Sequence, residues 1–509
     1  MPSPPPPAGD SADVRIAGAQ GRWILLVTVL GSSVVLLGST VTNVALPRIG
    51  EDFGTDLAVL QWTANAYMVT LAGLILLGGA LGDRFGRRRV FVLGILWFAA
   101  ASLLCGLAPD AHTLIAARAL QGVGGALITP GSLALIEASF HPDDRPRAIG
   151  LWSGLGGVGA ALGPFMGGWL VDGPGWRWTF LLTIPPALLC VPVALRHVPE
   201  SVGTVRAVLP GGPQSRPPGF DVTGAVCGAL ALALATYALT EARTGGVLAV
   251  AAAVSSAAAG WTFLRTERRS GDPMVPLSIF ASRQFTAVNV ITLCVYAGTG
   301  GFFFLTALEL QIVTGYSALA AGAAMLPGTV LMLLFSSHAA LLAKRLGPRL
   351  PLTAGPAMCA AGMLLMLRAG PGASYLRDVL PALLVMGCGM VIMVAPLSVA
   401  LLSSVDAAHA GLASGVNNAA ARAAGLVAVA GLPLVVGMGS DAYRSAAAFD
   451  AAFSRAMPLC AGLLVSGALV ALAMLPRNAV AGRRTHARVH GWLMEPPLVS
   501  RYAHHHAVD

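Results

Sequence analysis

Apolar stretches of roughly 20 residues, the length that crosses a ~30 Å hydrocarbon slab as helix, recur along nearly the whole chain. Short breaks part them, and the breaks hold almost all of the arginines. The stretches fall at 23–46, 59–79, 89–107, 113–135, 147–171, 177–197, 221–241, 246–264, 284–311, 319–342, 350–367, 378–402, 411–437 and 456–475. No single soluble core absorbs that much apolar surface. Of 509 residues 56% are hydrophobic and 11% charged, against about 25% charged in an ordinary soluble domain. The pattern predicts an all-α integral membrane protein of fourteen transmembrane helices, with both termini on one side.

The basic residues say which side. Counted from the N-terminus, the odd-numbered breaks hold seven arginines: Arg48, Arg177, Arg243, Arg368, Arg377, Arg444 and Arg455. The even-numbered breaks and the two tails hold twenty-three basic residues, and Arg118 and Arg422 lie inside spans. Short cytoplasmic loops concentrate Arg and Lys, so a multi-pass protein of the cytoplasmic membrane with both termini inside is expected. The net charge of +9 does not imply nucleic acid, because the basic groups sit between apolar runs as orientation signals and contacts to the lipid bilayer's anionic headgroups.

The start, Pro-rich from Pro2 to Pro7, has no basic segment ahead of an apolar core. Residues 1–22 therefore read as a disordered cytoplasmic tail and not as a cleaved signal. Residues 198–219, rich in Pro, Gly and Arg, read as a flexible cytoplasmic linker. Residues 476–509 read as a second cytoplasmic tail. A faint repeat links Asp83-Arg84-Phe85-Gly86-Arg87-Arg88 to Lys344-Arg345-Leu346-Gly347-Pro348-Arg349. It matches a six-helix bundle over 23–197 with another over 284–475, leaving 220–264 as two inserted transmembrane helices.

Several residues stand out within this frame. Gly79 to Arg89 is a glycine-rich turn carrying Asp83, Arg84, Gly86 and Arg87. Arg118 lies in a span three residues before Gln121. A charge at mid-helix costs at least ~2.5–3.5 kcal/mol on insertion scales, so it faces a polar cavity or a partner, or it snorkels to the interface. Gly159, Gly163 and Gly167 recur every four residues beside Pro164 and Gly168; such a face admits a neighbouring backbone closely, and Pro164 favours a kink. Glu309 stands among aromatic and aliphatic residues near the end of the ninth span, as a proton carrier, an attractor of cations, or a wetted interfacial carboxylate. Asn418 and Arg422 share a helical face next to Asn417. Such a face serves a cavity or helix–helix hydrogen bonding. Asn43, Trp62, Tyr67, Gln311, Asn417 and Asn418 are the candidates to line a substrate cavity.

Absences limit the chemistry. Lys344 is the only lysine and sits in Ala343-Lys344-Arg345, which is no phosphate-binding GK[ST] loop. The seven cysteines are scattered singly, so neither a metal site nor a disulfide framework is expected. No nucleophile–base pair stands out. The reading is a chain that is no enzyme and needs no cofactor.

The motifs together resemble the major facilitator superfamily, and within it the fourteen-helix drug:proton antiporters. G-x-L-x-D-R-x-G-R-R is met over Gly79 to Arg88 with a one-residue shift around Leu81. R-x-x-Q-G is met by Arg118, Gln121 and Gly122. G-x-x-x-G-P-x-x-G-G is met by Gly159, Gly163, Pro164, Gly167 and Gly168. Thr42-Asn43-Val44-Ala45-Leu46-Pro47 nearly meets the first-span signature, and Gln61, Trp62 and Tyr67 fit the second span. The resemblance implies two bundles rocking about a central cavity, and proton-driven export of drugs, antibiotics or a self-made metabolite by one chain. It assigns Asp83, Arg84 and Arg87 to a cytoplasmic latch of the outward-open state, and Arg118 to proton coupling. Uptake, export of lipid-like substrates, or a non-transporting receptor on the same fold are the alternatives. One departure is plain. The family's first-span L-D-x-T is Leu37-Gly38-Ser39-Thr40 here, so the usual carboxylate is missing, which leaves Glu309 to take over its role, or a neutral or anionic substrate, or an altered coupling.

Overall fold

The computed structural model describes residues 14–141, 143–202, 221–242, 245–270, 275–405, 410–439, 442 and 445–476. Most of the expected linker and the C-terminal tail, with the first thirteen residues, lie outside them. The helices follow the apolar runs in order: α1 Ala19–Phe53, α2 Leu57–Phe85, α3 Arg87–Gly106, α4 Ala111–Ser139 and α5 Arg145–Asp172. Then come α6 Trp178–His197, broken ahead of Pro185 and Pro186, α7 Val222–Thr240, α8 Gly246–Arg269 and α9 Arg283–Ile312. The last are α10 (Ala318–Ala324 continued by Leu326–Leu346), α11 Arg349–Arg368, α12 Tyr375–Leu402, α13 Ala410–Val435 and α14 Ala446–Met474. Thirteen of these are long and apolar enough to span a membrane. The remaining one, α5, has 28 residues and no charged side chain between Arg147 and Asp172. The order is compatible with fourteen crossings.

Several of the breaks supply what a helix start needs. The first amides of a helix lack internal partners, and side chains in the breaks accept from them. Asp56 accepts from the Val59 amide at 3.1 Å, Asp110 from Thr113 at 2.9 Å and Ser317 from Ala320 at 3.2 Å. At Asp110, hydrogen bonds from the Thr113 amide and then its hydroxyl hold the carboxyl below its ordinary range. Two glycines with left-handed backbone, Gly86 (φ +106°) and Gly347 (φ +75°), sit between α2 and α3 and between α10 and α11. A side chain is disfavoured there, and the two positions are the ones the sequence repeat aligns.

Two expected boundaries move. Residues 14–22, expected to be disordered tail, instead hold a place: Val14 exchanges backbone hydrogen bonds with Ser139 and His141, and Ile16 donates to Asp144 at 3.2 Å. The last helix starts at Ala446 rather than 456, because Ser445 caps it and the added turns are rich in alanine. That extension brings Asp450 and Arg455 into a helix.

Packing divides the helices. In the first half α2 and α3 pack on α4, and α1 on α5; in the second α9 packs on α13 and α14, and α11 on α12 and α14. The inserted α7 and α8 pack on each other, and α7 also touches α2 and α13. Val247, at 84% exposure, leads a row of bare apolar side chains on α8, which is a lipid-facing surface, since in hydrocarbon an apolar exterior is no liability.

Candidate functional site

Every hydrogen bond between the two halves, among the described residues, lies at the end opposite the Asp83 turn. Gln61 on α2 donates to the Val429 and Ala430 carbonyls of α13 at 2.7 and 3.2 Å. Gln311 on α9 donates to the Val44 carbonyl of α1 at 3.1 Å. The Asp172 carboxylate, at the end of α5, accepts from the Ala318 and Leu319 amides that open α10, at 3.2 and 2.8 Å. A buried apolar cluster closes the same end, joining Leu46, Leu57 and Leu60 of the first half to Leu308 and Leu310 of the second. Nearer the other end α2 and α13 still touch, where Leu76 lies beside Gly415.

The glycine face of α5 makes this closure feasible. A Cβ on Gly159 would stand 2.8 Å from the Ser33 side chain, one on Gly163 would overlap Thr40, and one on Gly167 would press on Val41 at 3.0 Å. So α5 lies against α1 along that face. Gly168 meets the Ala318 carbonyl of α10, and Gly322 of α10 meets the Pro164 carbonyl, each too closely for any side chain. The four-residue spacing read from the sequence is thus an inter-helix seam, and Gly168 with Pro164 extends it across the halves.

Arg118 is 1% exposed, which excludes the snorkelling alternative. Its Nε donates to the Thr63 carbonyl at 3.1 Å, and one terminal nitrogen donates to the Gly38 carbonyl at 3.3 Å and to Gln121 Oε1. The guanidinium lies 4.5 Å from the Tyr67 ring centre. Gln121 passes the network on to Ser102 at 2.7 Å. Charge-assisted hydrogen bonds contribute about 1.5–3 kcal/mol each, enough to offset the cost of placing the charge there.

In the second half, Asn417 donates to Asn289 at 3.2 Å and Thr292 at 2.7 Å, so it ties α13 to α9. Asn418 is exposed and donates to the Ser414 carbonyl of its own helix at 3.1 Å. Arg422, one turn on, has a buried Nε with no hydrogen-bond partner, and its electrostatic neighbours are Tyr67 and Tyr296. Glu309 is fully buried, and the Asp450 carboxyl of α14 lies beside it, close enough for the pair to share a proton in a hydrogen bond.

Not every cavity candidate reaches a cavity. Trp62 turns to the inserted α7, donating to Glu241 at 3.3 Å and leaning on Tyr237. Gln311 serves the closure between halves, and Tyr67 is wholly buried with its hydroxyl on the Val35 carbonyl at 2.8 Å. Asn43 is half-buried on α1. Sequence reading missed Asp172, Asn289 and Asp450; only the helical spacing of Asn289 and Thr292 within a span offered a signal.

The model of the Major Facilitator Superfamily matches residues 28–429. This chain belongs to that superfamily of transporters. It is 34% identical over 492 residues to the puromycin resistance protein pur8 of Streptomyces alboniger, covering 93% of this chain and 96% of that one. It is 36% identical to the probable actinorhodin transporter of Streptomyces coelicolor, covering 80% and 71%. It is 31% identical to the multidrug efflux pump LfrA of Mycolicibacterium smegmatis, covering 89% and 88%. Among solved structures, a POT family transporter in complex with 5-aminolevulinic acid superposes with a TM-score of 0.68 at 14% identity, over 92% of this chain and 98% of that one. Such a likeness speaks to fold alone.

In this major facilitator protein the Asp83 turn is a structure internal to the first half. Arg87 reaches back to Asp83 at 2.8 Å and to the Ala134 carbonyl at 3.3 Å, and Arg84 is exposed. Gly79 faces Pro130 of α4. Beyond α6, Glu200 accepts from the Arg88 amide at 3.0 Å, and the Arg87 amide donates to the Ser201 carbonyl at 2.9 Å, so the first residues of the expected linker are pinned here. The Asp83–Arg87 pair is partly exposed, so its loss in Asp83→Asn is expected to cost less than ~1 kcal/mol of stability. Gly86→Val adds strain at a positive φ, of order 1–3 kcal/mol, and sets a Cβ 2.7 Å from Glu200. Thermal unfolding in detergent is expected to show the larger loss for Gly86→Val.

Proposed function

We propose that this chain is a proton-coupled exporter of amphipathic small molecules, working alone in the cytoplasmic membrane with both termini inside. The bundles 23–197 and 284–475 rock about a central cavity, with 220–264 as a peripheral pair. The observation that carries this reading is the one-ended closure: hydrogen bonds between halves gather where Asp172, Gln61 and Gln311 lie. Opening that end while closing the Asp83 end is alternating access. Relatives described as a puromycin resistance protein and a multidrug efflux pump, at 34% and 31% identity over most of their length, support the substrate class and the direction.

Glu309 is the proton carrier in this scheme, because it is buried next to a second carboxyl group with which it can share a proton. A proton moving inward down the membrane potential supplies about 2.3 kcal/mol per 100 mV. Efflux of a fluorescent drug into everted vesicles is expected to fall at least tenfold on adding a protonophore. Glu309→Gln is expected to retain drug binding to the purified protein and lose this proton-driven component. Undiminished transport in the presence of the protonophore removes the coupling.

A further inference from the structure

Among the described residues, two guanidinium groups, one from each half, share a polar centre with no carboxylate as a neighbour. Arg118 of α4 and Arg422 of α13 both have Tyr67 as an electrostatic neighbour, one from each half. No carboxyl group among the described residues is an electrostatic neighbour of either guanidinium; the titratable groups beside them are the thiol of Cys105 and the phenols of Tyr67 and Tyr296, which carry no charge at neutral pH. The carboxylates within the helices lie elsewhere. Glu309 and Asp450 stand at the closed end. Glu137 stands at the other, with Arg87, Arg145 and Asp83 as its neighbours. The first-span acid that would answer Arg118 is Gly38, and the guanidinium reaches that residue's carbonyl instead.

The two arginines differ in how their charge is met. Arg118 spends its donors on three neutral oxygens. Arg422 keeps a buried Nε without an acceptor, beside the exposed Asn418 amide one turn away on the same face. A buried guanidinium nitrogen without an acceptor is costly, and the fork of donors on Arg422 fits a carboxylate bidentately. We infer that the substrate is an amphipathic organic anion whose carboxylate, or a comparable acidic group, is held by Arg422 with Asn418, in the positive field that Arg118 adds from the opposite half. This inference rests on the export reading above and names its substrate class.

The test uses everted vesicles carrying the full chain and two xanthene dyes of matched size, one a carboxylate anion and one an alkylammonium cation. Their uptake is compared with that of vesicles lacking the chain. The expected result is at least tenfold faster uptake of the anion. Arg422→Gln, at equal membrane abundance, is expected to erase that preference, while Arg422→Lys, which keeps the charge and loses the fork, is expected to retain only part of it. Equal or faster transport of the cation by the unaltered chain overturns this inference and leaves export standing. Movement of neither dye overturns both. An anion preference that survives Arg422→Gln overturns the role given to Arg422.

Discussion

Vesicles carrying Gly322→Val or Gly168→Val are expected to lose more than nine-tenths of their drug transport at unchanged protein level. At each position an added Cβ would meet a backbone carbonyl across the seam, Pro164 for Gly322 and Ala318 for Gly168. A flexible side chain could yield, but the backbone carbonyls of two packed helices move only if the helices separate. Overpacking of this kind costs about 1–3 kcal/mol or more, and it falls only on the state in which α5 and α10 meet. A bias of 3 kcal/mol shifts a two-state equilibrium by more than a hundredfold. The protein is therefore held open at the end that is closed here. A cysteine placed at Gln311, which in this state bonds to the Val44 carbonyl, is expected to react at least tenfold faster with an impermeant maleimide in the Gly322→Val background. Gly150→Ala on the same α5, where nothing lies within 4 Å of the added carbon, is the control and is expected to transport normally. Full transport by Gly322→Val would show the glycines to be packing residues with no part in the gate.

The glycine seam was legible because spacing along one helix is a local property. Gly159, Gly163 and Gly167 had to share a face at 3.6 residues per turn, and a face without side chains has few uses other than close approach. The membrane spans were legible for a similar reason, since length and hydropathy act run by run. What could not be read were the meetings between distant segments. Nothing near Gln61 indicates that its amide bonds to residues 429 and 430. Nothing near Asp172 indicates that it caps a helix opening 146 residues later. Asp450 escaped because the apolar window begins after it, although Ser445 and a run of alanines carry the helix past it. Trp62 was misplaced because an aromatic residue in a span looks alike whether it faces a cavity or, as here, an inserted helix.

Restoring the missing first-span acid by Gly38→Asp is expected to turn the dye preference around. A Cβ at residue 38 would lie 3.8 Å from Gln121 Nε2 and 3.1 Å from the tip of the Phe98 ring, so the carboxylate would enter the Arg118–Gln121 network. Its charge offsets that of Arg118, whose terminal nitrogen already lies 3.3 Å from the Gly38 carbonyl. Removing one of two positive charges from the centre weakens the field on an anion bound at Arg422. At an effective dielectric of about 20, a unit charge at a separation on the order of 8 Å contributes about 2 kcal/mol, roughly thirtyfold in affinity. Anionic dye transport is thus expected to fall at least tenfold and cationic dye transport to rise. The ring tip must yield by a few tenths of an ångström, so the double change Gly38→Asp with Phe98→Leu guards against a folding defect. Gly38→Asn, of the same shape without the charge, is expected to keep the anion preference. If Gly38→Asp and Gly38→Asn behave alike, the effect is one of shape, and the charge at Arg118 has no say in which molecules pass.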